Sequence, residues 1–361
     1  MTDSALLGHL AKLVACDTQN PPREIEGDSD IFRYCSEVVG SGFTVGTWDH
    51  GDGHVSWYAV RGEPGVLFNV HLDTVPNGDG WESDPQDLLV KDGRAYGRGS
   101  CDIKGAAAAL LAIAQRQPDN MALLFTSDEE GAGGCCVENF LESGEGERYR
   151  QVIVAEPTGC RAVLGHRGFL SVKTRFGGEP GHSSEARALV ENANHQMARW
   201  ASAALEVAES KKTSPDDPGS CMNIGIVDGG TKSNVIAGSA FVHWSARLRP
   251  GESNDAFLDD VQACVSPQDK VSWEVPFKGE PLPAGGRDAQ SAAAFCKENG
   301  LPVGDPVDFW TEASLFSAAG LPAIVLGPGD IAQAHAANEW VALDQLQSAY
   351  ELYGKVVTGN G

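Results

Sequence analysis

The chain has 361 residues and carries 27 Lys plus Arg against 50 Asp plus Glu, a net charge of −23. That length holds one large domain or two ordinary ones, and 42% hydrophobic residues suffice for a real core. The acidic balance and the lack of a Lys/Arg cluster argue against nucleic acid as a partner, and no apolar run approaches a membrane span. Met1–Leu10 contains Asp3 and lacks a basic n-region, which excludes a secretory signal. Nine irregularly spaced cysteines, with Cys135 and Cys136 adjacent and no C-x-x-C, read as the reduced thiols of a cytoplasmic protein.

Asp3–Cys16 has helical spacing, with Leu6, Leu10, Leu13 and Val14 on one face, and Asn20-Pro21-Pro22 closes it. Ile31–Val39 predicts a second helix. Phe43–Asp49 and Val55–Val60 alternate like paired strands, and Val66–Val70 is the continuous apolar run of a buried strand. His71 and Asp73 stand at its end, two apart and so facing the same way. Residues 77–95 are turn-rich. The glycine-rich stretch before helix Ala106–Ala114 is no nucleotide loop: it lacks Gly-Lys-Ser/Thr, and Asp102 sits where a phosphate wants positive charge. Taken alone, Asp102 there is an N-cap. Met121–Thr126 and Gln151–Ala155 are further apolar strands, ending in Ser127-Asp128-Glu129-Glu130 and in Glu156-Pro157. Each delivers a carboxylate at a strand's carboxyl end, where open α/β sheets bind ligands.

From about Gly168 the character changes. Phe169–Phe176 predicts a strand, and Ala188–Glu209 one long helix with Met197, Trp200, Ala201 and Leu205 inward. Cys221–Val227 and Ser239–Leu248 are strands, Asp255–Val265 a helix and Val271–Phe277 a strand. That βαββαβ order is a ferredoxin-like α+β unit. After a Pro/Gly-containing return over Pro276–Gly286, the first pattern resumes with helix Ala289–Asn299, a helix opened by Asp308–Ser314, strand Ala323–Leu326 and helix Leu343–Lys355. The expected fold class is α/β: a discontinuous catalytic domain (1–167 and 279–361) with a mostly parallel sheet flanked by helices, and an inserted lid and dimerisation domain (168–278).

His71, Asp102, Glu129, Glu130, Glu156 and His335 make a set of two imidazoles and four carboxylates. This N/O chemistry suits Zn, Co or Mn, and it is too rich for one closed structural zinc. Two metals sharing a carboxylate would polarise a carbonyl and activate water. One carboxylate must stay unligated as proton shuttle, and the neighbours Glu129 and Glu130 provide one of each.

These residues resemble the metallo-aminoacylase/carboxypeptidase group, the peptidase M20 family, over essentially the whole chain. The motifs are His71-Leu-Asp73-Thr-Val-Pro, Gly99-Ser-Cys-Asp102-Ile-Lys-Gly, Asp128-Glu-Glu130, Glu156-Pro-Thr, Gly181-His182-Ser-Ser and Gly327-Pro-Gly329 with His335. Thr311-Glu312-Ala and the run from Gly327 to His335 look most like the deacetylases of arginine biosynthesis. Asp308–Phe316 is most similar to the N-acetylcitrulline deacetylase branch. The resemblance implies that His71, Asp102 and Glu156 hold one metal and Asp102, Glu130 and His335 another, with Zn2+ or Co2+ at one or two ions per subunit. It implies that Asp73 orients His71, that Glu129 is general base and then acid, and that the Asp102–Ile103 peptide is cis. From the lid, His182 would face the oxyanion, from its own or a partner subunit, and Asn234 and Arg249 would take the substrate's α-carboxylate. Here the family's Asp-x-Arg is altered: Arg249 precedes Pro250 as the pattern asks, but Arg247 competes for the assignment. Gly327 and Glu312 would border the substrate; Glu312 and Trp310 either line its side-chain pocket or start a helix. The implied substrate is a small N-acetyl amino acid, N-acetyl-L-citrulline or N-acetyl-L-ornithine, and the implied assembly is a homodimer through the lid. A related dipeptidase, carboxypeptidase or desuccinylase is the alternative.

Overall fold

Runs of apolar residues too short and too continuous for an amphipathic helix form the central strands of the first unit. The computed structural model describes residues 4–131, 133–212, 219–267, 269–284 and 289–359. The chain divides into two units, Met1–Gly165 with Arg287–Pro306 and Thr311–Gly361, and His166–Gly286 with Val307–Trp310. The division differs from the joins at 167/168 and 278/279 read from the sequence. Strand Lys270–Gly279 carries the second unit past residue 278, and Trp310 joins it by packing edge-on against Phe277, ring centroids 4.9 Å apart.

In the first unit the strands lie in the order Thr44–Asp49, Val55–Arg61, Met121–Thr126, Val66–His71, Gln151–Val154, Ala323–Val325. The last four run parallel and the first two are antiparallel additions. Every residue of Met121–Thr126, Val66–His71 and Gln151–Val154 is buried, as expected of parallel strands covered on both faces. Val66, Phe68 and Val70 belong to one core with helices Ser4–Val14, Lys104–Ala114 and Leu343–Gly359. The helix Lys104–Ala114 is buried throughout because its alanines and glycine leave room for neighbours. A Cβ on Gly105 would lie 2.5 Å from the Ser100 carbonyl and 3.0 Å from a Leu346 methyl. A small sheet of Leu89–Lys91, Arg94–Tyr96 and Trp340–Ala342, and a helix Cys136–Glu142, were not expected. Three-residue strands are too short to show a period.

The second unit is a four-stranded antiparallel sheet ordered Lys270–Gly279, Phe169–Gly177, Ser239–Arg247, Cys221–Gly229. In chain order that is 4-1-3-2, the ferredoxin-like arrangement. Helices Ala193–Ser210 and Asn254–Gln262 share its core, where Trp200 packs against Phe176 and Trp244 and donates its indole N–H to the Val261 carbonyl at 3.1 Å. The single helix expected over Ala188–Glu209 is two, Ala188–Glu191 and Ala193–Ser210. Asn192 is extended, and its side chain caps the second by accepting the Asn194 N–H. Leu205, expected inward, is 41% exposed, while Ala204 and Ala208 are buried. Five positions on from Trp200 is about 140° around a helix, whereas four and eight stay near its face. Among the described residues no helix is long and apolar enough to cross a membrane, and no disulfide joins the cysteines.

Candidate metal centre

Because the four central strands run parallel, their carboxyl ends share one edge of the sheet. Val66–His71 ends on His71 itself, and in the ladder His71 stands opposite Thr126. Glu129 and Glu130 follow Met121–Thr126 by three and four residues, and Glu156 follows Gln151–Val154 by two. Asp102 arrives from the turn before Lys104–Ala114, where the Asp102–Ile103 peptide is cis. His335 arrives from the loop after Ala323–Val325, held at φ 61°, a left-handed conformation costly for any residue but glycine.

The five candidate ligands meet. His71 Nε2 is 3.2 Å from Asp102 Oδ1 and 3.4 Å from Glu156 Oε1. His335 Nε2 is 3.2 Å from Asp102 Oδ2 and 3.0 Å from Glu130 Oε2. Asp102 therefore presents one oxygen to each imidazole, the arrangement a bridging carboxylate needs. One donor atom each from His71, Asp102 and Glu130 lie within 4.8 Å of one another. Glu156 Oε1 is buried and makes no hydrogen bond among the described residues, although it points at His71. A buried carboxylate oxygen without a donor is costly unless a cation satisfies it, so the donor set fits a divalent metal.

The electrostatics agree. Burial pushes Glu156 up to about 7, with the charge of Asp102 and Glu130 adding to it. Burial opposes charge on His71, yet Glu156, Asp102 and Asp73 together raise it well above the usual imidazole range. Hydrogen bonds to Asp102 and Glu130 raise His335 to about 10. The cluster of carboxylates thus favours positive charge among them, which a divalent cation would supply.

Asp73 does more than the sequence suggested. His71 Nδ1 donates to the Asp73 backbone carbonyl at 3.0 Å, and the Asp73 carboxylate lies 3.5 Å away. That carboxylate accepts the Glu129 N–H at 3.3 Å, the Glu130 N–H at 2.9 Å and the Asn20 amide at 2.8 Å. It ties the two-glutamate turn to the histidine strand. Asp128 secures the far side of that turn by accepting the N–H groups of Cys135 and Cys136 and pairing with His54 at 2.7 Å. Sequence reasoning missed Asn20 and His54, which carry no motif. Asp128 was visible only as the acid before two others.

Glu129 is partly buried, and among the described residues its carboxylate has no hydrogen-bond or ion-pair partner. Burial, reinforced by Glu130, Glu156 and Glu312, raises its proton affinity well above that of an ordinary glutamate. Glu312 stands at the start of helix Ala313–Ala318 but does not cap it. Its side chain is buried and accepts from Thr126 Oγ1 at 3.4 Å. Gly327 is fixed in the fold through its backbone. Its N–H goes to Thr158 Oγ1, and its carbonyl accepts from Thr158 and Cys160. A Cβ there would meet the Ala155 carbonyl at 2.3 Å and that of Glu156 at 2.6 Å, so the position requires glycine to approach the strand end that bears Glu156.

In the second unit, His182 and Asn234 lie on adjoining segments. His182 bridges to Val235, and the Ser183 N–H donates to the Asn234 carbonyl at 3.1 Å. The Arg249 guanidinium donates to the Lys211 carbonyl at 2.8 Å and pairs with Glu252 at 3.3 Å. Arg247, at the end of strand Ser239–Arg247, instead stacks over Phe169, 3.9 Å from the ring centroid.

The family model described as Peptidase family M20/M25/M40 matches residues 67–359. The chain belongs to that family. An N-acetyl-L-citrulline deacetylase of Xanthomonas campestris pv. campestris is 45% identical, with all of both chains covered. An acetylornithine deacetylase of Vibrio vulnificus is 30% identical over 94% of each chain. Among solved structures, the aminopeptidase PepT of Bacillus cereus matches with TM-score 0.71 at 18% identity, covering 99% of each chain. The M20 family metallo-carboxypeptidase Sso-CP2 of Sulfolobus solfataricus also matches with TM-score 0.71, at 17% identity, covering 98% of this chain and 99% of that one. These structural likenesses establish the M20 fold.

Proposed function

We propose that this protein is a metal-dependent amidohydrolase that removes the Nα-acetyl group from N-acetyl-L-citrulline in arginine synthesis, with N-acetyl-L-ornithine as the lesser substrate. One observation carries the chemistry: Asp102 faces an imidazole with each oxygen, Glu130 and Glu156 flank it, and Glu129 is unengaged beside them. The full-length 45% identity to the citrulline deacetylase supports the substrate.

His71, Asp102 and Glu156 would hold one divalent ion, and Asp102, Glu130 and His335 a second, Zn2+ or Co2+. When bound, such ions polarise the acyl carbonyl and bring the pKa of water to about 7. Glu129 takes the proton of the attacking water and returns it to the amide nitrogen as the C–N bond breaks. Its raised proton affinity suits a group that must hold the proton between those two transfers. Asp73 holds His71 by accepting its ring Nδ1–H at the backbone carbonyl and holds Glu129 by accepting its backbone N–H at the carboxylate. From the second unit, His182 is assigned to the oxyanion and Asn234 with an arginine to the α-carboxylate. Arg249, which donates to the Lys211 carbonyl and pairs with Glu252, is that arginine, with Arg247, stacked on Phe169, as the alternative.

A homodimer through the second unit is part of the proposal. Among the described residues, edge strand Cys221–Gly229 pairs on one side only, and Ile226 and Val227 are 54% and 55% exposed. Light scattering on the purified protein tests it, and a monomer at micromolar concentration would refute it. A cytoplasmic site is proposed because no disulfide joins the described cysteines, five of them buried.

The deciding experiment compares kcat/KM of the metal-loaded enzyme on N-acetyl-L-citrulline, N-acetyl-L-ornithine, N-succinyl-diaminopimelate and dipeptides. Preference for citrulline is expected. Preference for ornithine would overturn the substrate assignment, and turnover of only succinyl or dipeptidyl compounds would overturn the deacetylase reading.

A further inference from the structure

We propose that Glu339 and Arg98 form a buried clasp that positions Asp102 and His335, and so sets metal affinity at the centre. The proposal rests on the metal-site reading above. Glu339 is 1% exposed and Arg98 3%. Glu339 Oε1 accepts the backbone N–H groups of Cys101 at 2.9 Å and Asp102 at 3.0 Å. Its Oε2 accepts the Gly99 N–H at 3.0 Å and Arg98 Nη1 at 2.8 Å. Two carboxylate oxygens thus collect four donors, three of them the main chain of the turn that carries Asp102.

Arg98 extends the clasp. Its Nη1 also reaches the Ala336 carbonyl at 3.3 Å, and its Nη2 reaches those of Pro76 at 3.3 Å and Asn77 at 3.0 Å. The guanidinium lies 5.0 Å from the Trp81 ring centroid. One buried ion pair therefore gathers three segments: the stretch after His71 and Asp73, the Asp102 turn, and the stretch just after His335. Such an anchor is needed because Asp102 must sit among Glu130 and Glu156, whose charges push it away. The backbone bonds hold the turn from behind and leave both Asp102 oxygens facing the imidazoles. No local motif announces the pair, since the partners are 241 residues apart.

Glu339→Gln tests this. It keeps size and one acceptor oxygen but turns an NH2 toward a donor. Co2+ is titrated into metal-free parent and variant, read by calorimetry and by the visible Co2+ absorption, at a temperature where circular dichroism shows both folded. Affinity in the variant is expected to fall about 10–100-fold, the usual effect of removing a group that orients a metal ligand. The Co2+ spectrum should change, and kcat should fall more than KM rises. Glu339→Asp keeps the charge and should recover part of the affinity. If Glu339→Gln does not fold, Arg98→Lys takes its place, because it keeps the charge but loses the fork to Pro76, Asn77 and Ala336. A folded variant with Co2+ affinity within about twofold of the parent and an unchanged spectrum overturns the clasp, even if its melting temperature drops. A parent that binds no Co2+ overturns the metal-site reading itself.

Discussion

Replacing Glu129 with glutamine removes one ionisable oxygen and almost nothing else. The side chain has no partner among the described residues, and the backbone N–H that Asp73 accepts is retained. No fold contact is lost, so stability should stay within about 0.5 kcal/mol of the parent. Because burial and neighbouring carboxylates already penalise the charged form of Glu129, any shift should be upward. Metal content should also hold, since Glu129 is the one glutamate of its turn that does not face an imidazole. Catalysis should not survive: an amide cannot accept the proton of water or deliver it to the leaving nitrogen. Loss of a positioned general base costs about 10²–10⁴-fold, or about 2.7–5.5 kcal/mol of barrier. The assay is acetate release under single-turnover and steady-state conditions, with metal measured by mass spectrometry on the same sample. A variant with full metal whose kcat stays within about tenfold of the parent would refute the assignment. Metal lost together with activity would equally refute it, by making Glu129 a ligand.

Asp73→Asn should destabilise the metal-free protein by about 1–3 kcal/mol, because both oxygens now accept donors and an amide NH2 would confront one of them. An unchanged denaturation midpoint would sink that reading. Gly327→Ala should cost about 1–3 kcal/mol and weaken metal binding, since the added methyl meets two backbone carbonyls that can move only by shifting the strand end bearing Glu156. Wild-type melting and metal affinity would show that the loop has slack. Lys104 is buried with its ammonium on the Cys16 carbonyl at 3.0 Å, and burial pushes it down to about 8. Its unfolded value is near 10.4, so the unfolded chain binds more protons between those limits, and stability should rise with pH across that window. Lys104→Met should abolish that rise while matching or exceeding the parent's stability at pH 7; parallel pH profiles for the two proteins would contradict the assignment.

Much of the centre was legible from residue order because it obeys a local rule. Continuous apolar strands that end in His71, Glu129-Glu130 and Glu156 suit a parallel sheet covered on both faces, and pairing in parallel brings their ends to one edge. Asp102 and His335 entered by motif. The 4-1-3-2 order of the second unit likewise follows from the succession of its strands and helices. Tertiary structure alone decided the rest. Whether Leu205 or Ala204 turned inward depended on how Trp200 was seated, and the partners of Arg249 and Arg247 depended on where Glu252, the Lys211 carbonyl and Phe169 came to rest. Glu312 proved to be a buried acid rather than a cap, and Gly327 a position where the backbone packs against the strand end bearing Glu156. Glu339 and Arg98, 241 residues apart, found each other only in the folded chain. The physical reason is common to all of these. Periodicity and strand ends are dictated by neighbours along the chain, whereas a buried polar side chain takes its role from whichever donors and acceptors the fold brings beside it.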